Sequence, residues 1–260
     1  MADGLDDLKR KSVLAHRILT MTGSMGDTTG HVFVRVPGSN EMLARCRNEV
    51  DVSPAYVEPR SLHRVDFAGN PVEDLGDWTI PPERFIGTTL FKRRPEVGCV
   101  IHAHPPAQVL CSILDIPLQP LVGAQNWGGS AVALGGIPIY PRSLLIHNEE
   151  IGAGLMAVMG NKDVGILKAH GNVVTGRTIE EATIKAIRVE NLAKLCWQFA
   201  VARRHSPDIS WDDWADHFRP QAAQETGMQG GVNWSWDHYV KMLSYGAPVP
   251  RESTVDLEQY

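Results

Sequence analysis

Two short apolar runs that end in histidine place the strongest limit on how this chain can fold. The segments GCVIHAHP and VGILKAH are rich in β-branched and aliphatic residues, and they stop at Pro105 and at Gly171. Such runs are typical of strands buried at the centre of a sheet. Since His102 and His104 are two residues apart, a strand would project both side chains from the same face. This pair predicts a metal site at the end of its strand.

His170 ends the second run, where it is either a third metal ligand or a core histidine. The following Gly171 would let the backbone turn sharply and would leave space above the imidazole. Three neutral imidazoles with open coordination positions form a catalytic site rather than a closed structural one. Such a ligand set suits Mn, Zn, Fe and Co alike, so the metal stays open.

Local patterns predict the elements around these two strands. Apolar residues at helical spacing predict an amphipathic helix up to about residue 22. HVFVRVP and NEMLARCR predict a β-hairpin, and HRVDF predicts a further strand. Pro81 and Pro82 predict a helix over about 82–94, and capping-box spacing of Thr178 and Glu181 predicts a long helix to about 204. Residues 206–260 are predicted to be an irregular, Trp-rich extension with short helices, part of a single domain that spans 1–260.

Composition narrows the class of partner. The net charge is −5, and the 25 Lys and Arg residues are scattered along the chain, so no basic surface for nucleic acid or anionic membrane is expected. A small molecule is the expected partner. The four cysteines are far apart and contain no CxxC pair, and we see neither a signal peptide nor an uninterrupted apolar span. These features predict a cytoplasmic protein.

Ordered motifs over residues 8 to 205 resemble the class II aldolase/adducin family. They are Gly30-His31-Val32, Glu83, His102-Ala103-His104-Pro105, Ala169-His170-Gly171 and Arg177-Thr178-Ile179-Glu180-Glu181-Ala182. The resemblance implies a three-layer α/β/α fold with a central, mostly antiparallel sheet, assembled as a homotetramer with sites between subunits. It also implies that His102, His104 and His170 bind one divalent metal ion, and that Glu83 is a general acid/base and sometimes a fourth ligand.

The chain departs from family members that cleave phosphorylated sugars. Ile80-Pro81-Pro82 precedes Glu83 where those enzymes carry small hydroxyl residues, and proline offers neither a hydroxyl nor an amide donor for phosphate. His31 stands where the family has a phosphate-contacting asparagine. Arg45 or Arg47 occupies the place of a Ser/Thr-Gly turn and is able to bind a carboxylate, unless this segment is only a solvated hairpin.

These departures resemble the branch that decarboxylates hydroxy-methylpyridine-dicarboxylates and dihydroxyphthalates. We therefore predict a metal-dependent carbon–carbon lyase that removes carbon dioxide from an ortho-hydroxy aromatic or pyridine carboxylic acid, with proton delivery to carbon by Glu83 or His31. Related aldolases use a tyrosine of an adjacent subunit as the acid, a part for which Tyr239, Tyr245 and Tyr140 are candidates. Trp211, Trp214, Trp234 and Trp236 either form an apolar substrate wall, for which we favour Trp236, or serve packing.

Three alternatives remain at this point. An aldolase or retro-aldolase acting on an unphosphorylated hydroxy-keto acid would use the same metal. A non-haem iron oxygenase is the second alternative, because a few proteins that resemble this family use oxygen. An adducin-like interaction module is the third, but such a module would have lost the metal ligands, and this chain keeps all three histidines.

Overall fold

The computed structural model describes residues 4–121, 127–205 and 228–245, and these contain one seven-stranded sheet in the order β3-β2-β1-β4-β7-β6-β5. The strands are β1 (His31–Arg35), β2 (Glu41–Arg45), β3 (Leu62–Asp66), β4 (Cys99–Ala103), β5 (Ile139–Tyr140), β6 (Val164–Leu167) and β7 (Gly171–Gly176). The helices are α1 (Leu5–Met21), α2 (Arg84–Arg93), α3 (Pro106–Ile113), α4 (Trp127–Ala133), α5 (Glu149–Met159), α6 (Ile179–Ala202) and α7 (Met228–Ser244). All neighbouring strands are antiparallel except β5 and β6, which confirms the predicted mostly antiparallel sheet.

Helices cover both faces of the sheet. Alternate residues of β1 separate into two hydrophobic clusters, because Val32 and Val34 pack with α1, α3, α4, α6 and α7, whereas Phe33 packs with α2 and α5. The predicted three-layer α/β/α architecture is therefore confirmed. We call the two sides the α1/α6 face and the α2/α5 face.

The helix boundaries follow local sequence signals. Helix α2 begins at Arg84, directly after Pro81, Pro82 and its N-cap residue Glu83. Thr178 caps α6 by accepting the Glu181 backbone N–H through its hydroxyl oxygen at 3.1 Å. Both predicted helices are confirmed, as are α1, the β1–β2 hairpin, β3 and the first of the two histidine-bearing strands, β4.

The second histidine-bearing run and the C-terminal tail differ from prediction. Strand β6 ends at Leu167, so His170 lies in a turn that contains Ala169 at a φ of +57° and leads into β7, a strand that the patterns did not predict. The tail is not only short helices and irregular chain, since the longer helix α7 occupies part of it and packs on α1 and α6. Trp211 and Trp214 lie outside the described residues.

Strand register brings one end of β1, β4 and β7 together. His31 pairs with His102, and Ala103 pairs with Asn172, so the start of β1, the end of β4 and the start of β7 form one rim of the sheet. The predicted site residues gather at this rim. In the part of the chain that the structure describes, no helix combines the length and hydrophobicity that crossing a bilayer requires, and all four cysteines are buried free thiols.

Candidate metal centre

His102 is held in one tautomer by the strand beside it. Its ring is fully buried on the α2/α5 face, since the flanking Ile101 and Ala103 belong to the opposite cluster. Nδ1 lies 2.8 Å from the carbonyl oxygen of Asn172, and a carbonyl only accepts, so Nδ1 carries the proton and donates it. Nε2 is the other ring nitrogen, and it faces Glu83 and His104, an arrangement common to metal-ligating histidines.

His104 and His170 complete a group of three imidazoles. His104 follows the last residue of β4, and His170 ends the turn between β6 and β7. The ring centroids of His102, His104 and His170 are 4.9 to 5.1 Å apart. The structure therefore brings together all three histidines that the sequence predicted as ligands.

Glu83 adds a carboxylate to this group from the start of α2. Its Oε1 is buried, makes no hydrogen bond with the described residues, and lies 3.4 Å from His102 Nε2 and 3.6 Å from His170 Nε2. His104 Nε2 lies 3.1 Å from His102 Nε2. Ligand atoms bound at about 2.0–2.2 Å to one ion at tetrahedral angles are about 3.3–3.6 Å apart, so the two Glu83 separations fit a shared cation, whereas the two histidine nitrogens are slightly closer than this range.

The protonation states also favour cation binding. Burial lowers the pKa of His104 to about 4, assisted by His102 and His170, and thereby keeps this imidazole neutral. Burial acts to raise the pKa of Glu83, but His102, His170 and His104 outweigh it and bring the pKa to about 2. The centre thus presents a charged carboxylate and, at His104, a neutral imidazole, the form that metals bind.

A glycine is required at position 171 because a Cβ atom would not fit there, and not because the backbone adopts a positive φ. A Cβ atom at this position would lie 2.3 Å from the Ala103 carbonyl oxygen and 2.6 Å from His104 Cδ2. The sharp turn that we predicted for Gly171 occurs instead at Ala169, which has the positive φ. The crowded imidazole is that of His104, and the free space predicted above the His170 imidazole stays a prediction.

The donor set fits one divalent metal ion. Glu83, His102, His104 and His170 each offer one ligand atom, and these atoms all lie within 4.8 Å of one another. Nitrogen donors with one carboxylate suit Zn, Mn, Fe or Co, whereas Ca and Mg prefer all-oxygen sites.

His31 and Arg47 lie beside the metal centre. His31 pairs with His102 across β1 and β4, and its buried ring stacks on Phe33 with centroids 5.5 Å apart. Arg47 Nη2 lies 3.4 Å from His31 Nε2, and because arginine only donates, His31 accepts through this nitrogen. Burial followed by the charges of Arg45 and Arg47 lowers the pKa of His31 well below its usual value, so the ring is neutral.

Arg45 and Arg47 differ in what their guanidinium groups contact. Arg45 is fully buried and donates to the carbonyl oxygens of Thr28, Gly30 and Val52, so its contacts indicate a structural role instead of the predicted substrate role. Arg47 is half-buried, and its Nε has no hydrogen-bond partner among the described residues. Of the two arginines, Arg47 is the one placed to receive an anion.

Comparison with known proteins assigns the family. Residues 10–197 match the model of the class II aldolase and adducin N-terminal domain. The chain belongs to the class II aldolase/adducin family. A 3,4-dihydroxyphthalate decarboxylase of Arthrobacter keyseri is 31% identical over 89% of this chain and 92% of that protein. The protein of the same name in Terrabacter sp. (strain DBF63) is 32% identical over 88% of this chain and 94% of its own length.

The fold agrees with that assignment. A crystal structure of an aldolase II superfamily protein from Pseudomonas syringae superimposes with a TM-score of 0.77 at 19% identity, covering 95% of each chain. The family predicted from the motifs is confirmed. The names of the two relatives favour the prediction of a carbon–carbon lyase over that of an adducin-like interaction module.

Two predicted site residues of this class II aldolase family member lie away from the metal centre of their own subunit. Trp236 is only 8% exposed and packs in the hydrophobic cluster on the α1/α6 face, whereas His102 points to the other face. Its ring packs in the core, which favours the packing alternative, and a substrate wall at Trp236 stays a prediction. Tyr239 packs against the same cluster, and a role as proton donor would require the site of a neighbouring subunit.

Sequence reasoning missed the polar residues that support the ligands. Asn172, Gln108, Ser112 and Glu190 are all buried and connected to the histidine segments by hydrogen bonds. One signal was present, because Pro105-Pro106 follows His104 just as Pro81-Pro82 precedes α2, and it marks the start of α3. The remaining contacts depend on tertiary register, which has no local signature.

Proposed function

We propose that this chain is a divalent-metal-dependent decarboxylase that removes carbon dioxide from an ortho-hydroxy aromatic or pyridine carboxylic acid, and that it acts in the cytoplasm. The observation that carries the proposal is the position of Arg47, an arginine without a carboxylate partner among the described residues, beside a cluster of three histidines and Glu83. The similarity to decarboxylases named for a dihydroxylated phthalate supports this assignment.

His102, His104 and His170 would hold the metal ion, with Glu83 as a neighbouring or fourth ligand. When bound, the ion supplies positive charge that stabilises the electron density left on the ring as carbon dioxide departs. The protein contributes neutral imidazoles, which leave most of that charge uncancelled. Manganese, zinc, iron and cobalt are all compatible with this donor set.

Arg47 would bind a second carboxylate of the substrate. A guanidinium presents two parallel N–H donors to a carboxylate, and Arg47 keeps unused donors on the side chain whose Nη2 approaches His31. His31, as the acceptor of that contact, orients the guanidinium. The substrate that fits best is therefore a dicarboxylate with one carboxylate at the metal centre and another at Arg47.

Glu83 is our proposed proton carrier. Its carboxylate lies within the cluster of three histidines, from where it would take the proton of the ortho hydroxyl group of a bound substrate. After the bond from the ring to the carboxylate carbon breaks, Glu83 returns that proton to the ring carbon, and carbon dioxide leaves. The alternative donor is His31, as predicted from the sequence. Its buried Nδ1 bears a proton and has no hydrogen-bond partner among the described residues.

Two variants separate these roles. Glu83→Gln should abolish carbon dioxide release, while the three histidines still bind metal. His31→Gln should retain turnover with a raised KM, since it loosens Arg47 without removing the proton carrier. Full activity in Glu83→Gln together with inactivity in His31→Gln would show that His31, and not Glu83, is the proton donor.

Assembly as a homotetramer stays part of the proposal. Ile113 and Leu114 at the end of α3 are about half exposed, which suits a subunit contact. Tyr239 or the exposed Tyr245 would then be able to approach a neighbouring site. Light scattering coupled to size-exclusion chromatography would give four subunits if this is correct, and a monomer would exclude any tyrosine donated by a neighbour.

The test of the function is a carbon dioxide release assay. Ortho-hydroxy aromatic and pyridine carboxylates, with one or two carboxylates, are offered to the protein as purified, after chelation, and after Mn, Zn, Fe or Co is restored. We expect release that disappears on chelation, returns with metal, and is fastest with dicarboxylates. Aldehyde release from a hydroxy-keto acid, or oxygen consumption with iron, in place of carbon dioxide would refute the proposal.

A further inference from the structure

Helix α3 has two buried polar side chains that contact the segments next to the metal-binding histidines. Gln108 and Ser112 are four residues apart, so they lie on the same side of the helix, and both are almost completely inaccessible to solvent. Buried polar side chains are costly unless they are hydrogen-bonded. The partners of these two residues therefore indicate what the polar face is for.

Gln108 is connected to His102 through Asn172. Its Oε1 accepts a hydrogen bond from Asn172 Nδ2 at 2.9 Å. The backbone carbonyl oxygen of the same Asn172 accepts the Nδ1–H of His102 at 2.8 Å. Fixing the Asn172 side chain on the α1/α6 face thus fixes the carbonyl that sets the tautomer and ring plane of His102 on the other face.

Ser112 is connected to the turn that carries His170. Its hydroxyl oxygen accepts the backbone N–H of Ala169 at 3.0 Å and donates to the Val109 carbonyl at 2.7 Å. Ala169 has a φ of +57°, which is unfavourable for a residue with a Cβ atom. The serine therefore holds a strained residue that immediately precedes a metal ligand.

His104 is connected to α3 by the chain itself, and Glu190 fixes the start of that helix. Only Pro105 separates His104 from α3. The buried carboxylate of Glu190, on α6, accepts the backbone N–H groups of Ala107 at 3.0 Å and Gln108 at 3.2 Å. It also faces Gln108 Nε2 at 3.5 Å. A carboxylate at a helix N-terminus is favourable, and here it joins α3 to the longest helix.

We propose that Gln108, Ser112 and Glu190 are positioning residues that use α3 as a common support for all three metal-binding histidines. Each histidine segment has its own connection to this helix, so the spacing of the three ligand nitrogens depends on one rigid element. The inference rests on the proposed metal site, but not on the reaction or substrate that we propose for it. It predicts that metal binding weakens when the connections are removed, even though none of the three residues is itself a ligand.

Ser112→Ala is the most informative variant. Alanine favours the helix and is small enough to fit, so the fold should survive, while the Ala169 N–H loses its partner. Ser130→Ala is the matched control, because Ser130 is equally buried and its hydroxyl donates to the Leu121 carbonyl, away from the histidine segments. Both proteins are prepared metal-free, their thermal unfolding is compared, and zinc and cobalt affinities are measured by competition with a chromophoric chelator.

We expect Ser112→Ala to bind zinc and cobalt roughly 10- to 100-fold more weakly and to show an altered visible absorption spectrum of bound cobalt. Ser130→Ala should match the native protein in both measurements. Native affinity and an unchanged cobalt spectrum in Ser112→Ala would overturn the inference. No metal binding by the native chain would instead overturn the metal site itself, so the two failures are distinguishable.

A paired substitution tests the connection through Glu190. Gln108→Glu places a second carboxylate against Glu190, and it should weaken cobalt binding because the two charges repel each other. Adding Glu190→Gln removes one of the two charges and supplies an amide donor to the carboxylate at position 108, while its amide oxygen remains an acceptor for the start of α3. We expect the double variant to recover most of the affinity lost by Gln108→Glu, whereas a merely structural role would leave the cobalt affinity of all three proteins alike.

Discussion

Gly171→Ala tests the close approach of β7 to His104. The added Cβ would lie 2.3 Å from the Ala103 carbonyl oxygen and 2.6 Å from His104 Cδ2, whereas real Cβ contacts are almost never below 3.0 Å. The start of β7 and the imidazole must therefore separate by several tenths of an ångström. Cδ2 is bonded to Nε2, the proposed ligand atom, and metal–nitrogen distances tolerate only about 0.2 Å. We expect the variant to lose His104 as an effective ligand.

The magnitude has two parts, which two assays separate. Overpacking a buried site costs about 1–3 kcal/mol, and each kcal/mol lowers Tm by about 2–4 °C in a chain of this size. Metal affinity should fall about 100-fold or more, measured by chelator competition. Gly26→Ala is the control, because a Cβ there meets nothing within 4 Å. Native metal affinity in Gly171→Ala would refute this account of the centre.

Three further predictions test the ligands, the anion site and the pH dependence of folding. His102→Ala should bind no metal but still fold, and stoichiometric metal retained by that variant would contradict its role as a ligand. Arg47→Gln should raise KM for dicarboxylates at least tenfold and leave KM for monocarboxylates unchanged. Arg60→Gln, at an exposed arginine, should change neither KM. Equal effects on both substrate classes would exclude a site for a second carboxylate. Burial and Arg45 lower the pKa of His16 from 6.5 to about 3 in the folded state, so its contribution is complete above pH 6.5 and declines as the pH falls toward 3. By pH 4.5 roughly 3 kcal/mol is lost, and chemical denaturation should find a smaller loss between pH 7 and 4.5 in His16→Gln; an equal loss would contradict this role.

The pH prediction depends on a connection between α1 and β1 that the sequence does not reveal. His16 Nδ1 lies 2.8 Å from the Ser12 carbonyl oxygen and donates to it, and His16 Nε2 accepts the Val32 N–H at 3.2 Å. Both nitrogens are used only in the neutral form, since a protonated ring has no acceptor for Val32. In the sequence, His16 is simply a polar residue inside an amphipathic helix.

The sequence predicted elements whose signals are local. Prolines before α2 and the Thr178 cap of α6 fix helix starts through backbone chemistry that involves only neighbouring residues. Strand β4 was predictable because its residues are apolar on both faces. The His102 and His104 pair was predicted from its local spacing on a buried strand, whereas the assignment of His170 as a third ligand came from the resemblance to the family.

Strand β7 and the support of α3 were not predictable in this way. Gly171–Gly176 contains two glycines and an asparagine, which weaken a strand signal, and it is a strand because β4 and β6 pair with it on either side. Gln108, Ser112 and Glu190 resemble ordinary helix residues in sequence. Their roles depend on which faces of α3 and α6 meet, and that is set by packing across the whole domain.

His102 and the polar side chains that position it lie on opposite faces of the sheet. His102 projects onto the α2/α5 face, while the side chain of Asn172 on the adjacent strand reaches Gln108 on the α1/α6 side. The ligands are thus supported from behind by α3, whereas His31 and Arg47 are carried by β1 and the chain after β2. If the proposed roles hold, we expect substitutions at His31 and Arg47 to alter substrate binding without moving the histidines that α3 supports. This separation gives a physical reason why one family scaffold can carry both aldol cleavage and decarboxylation.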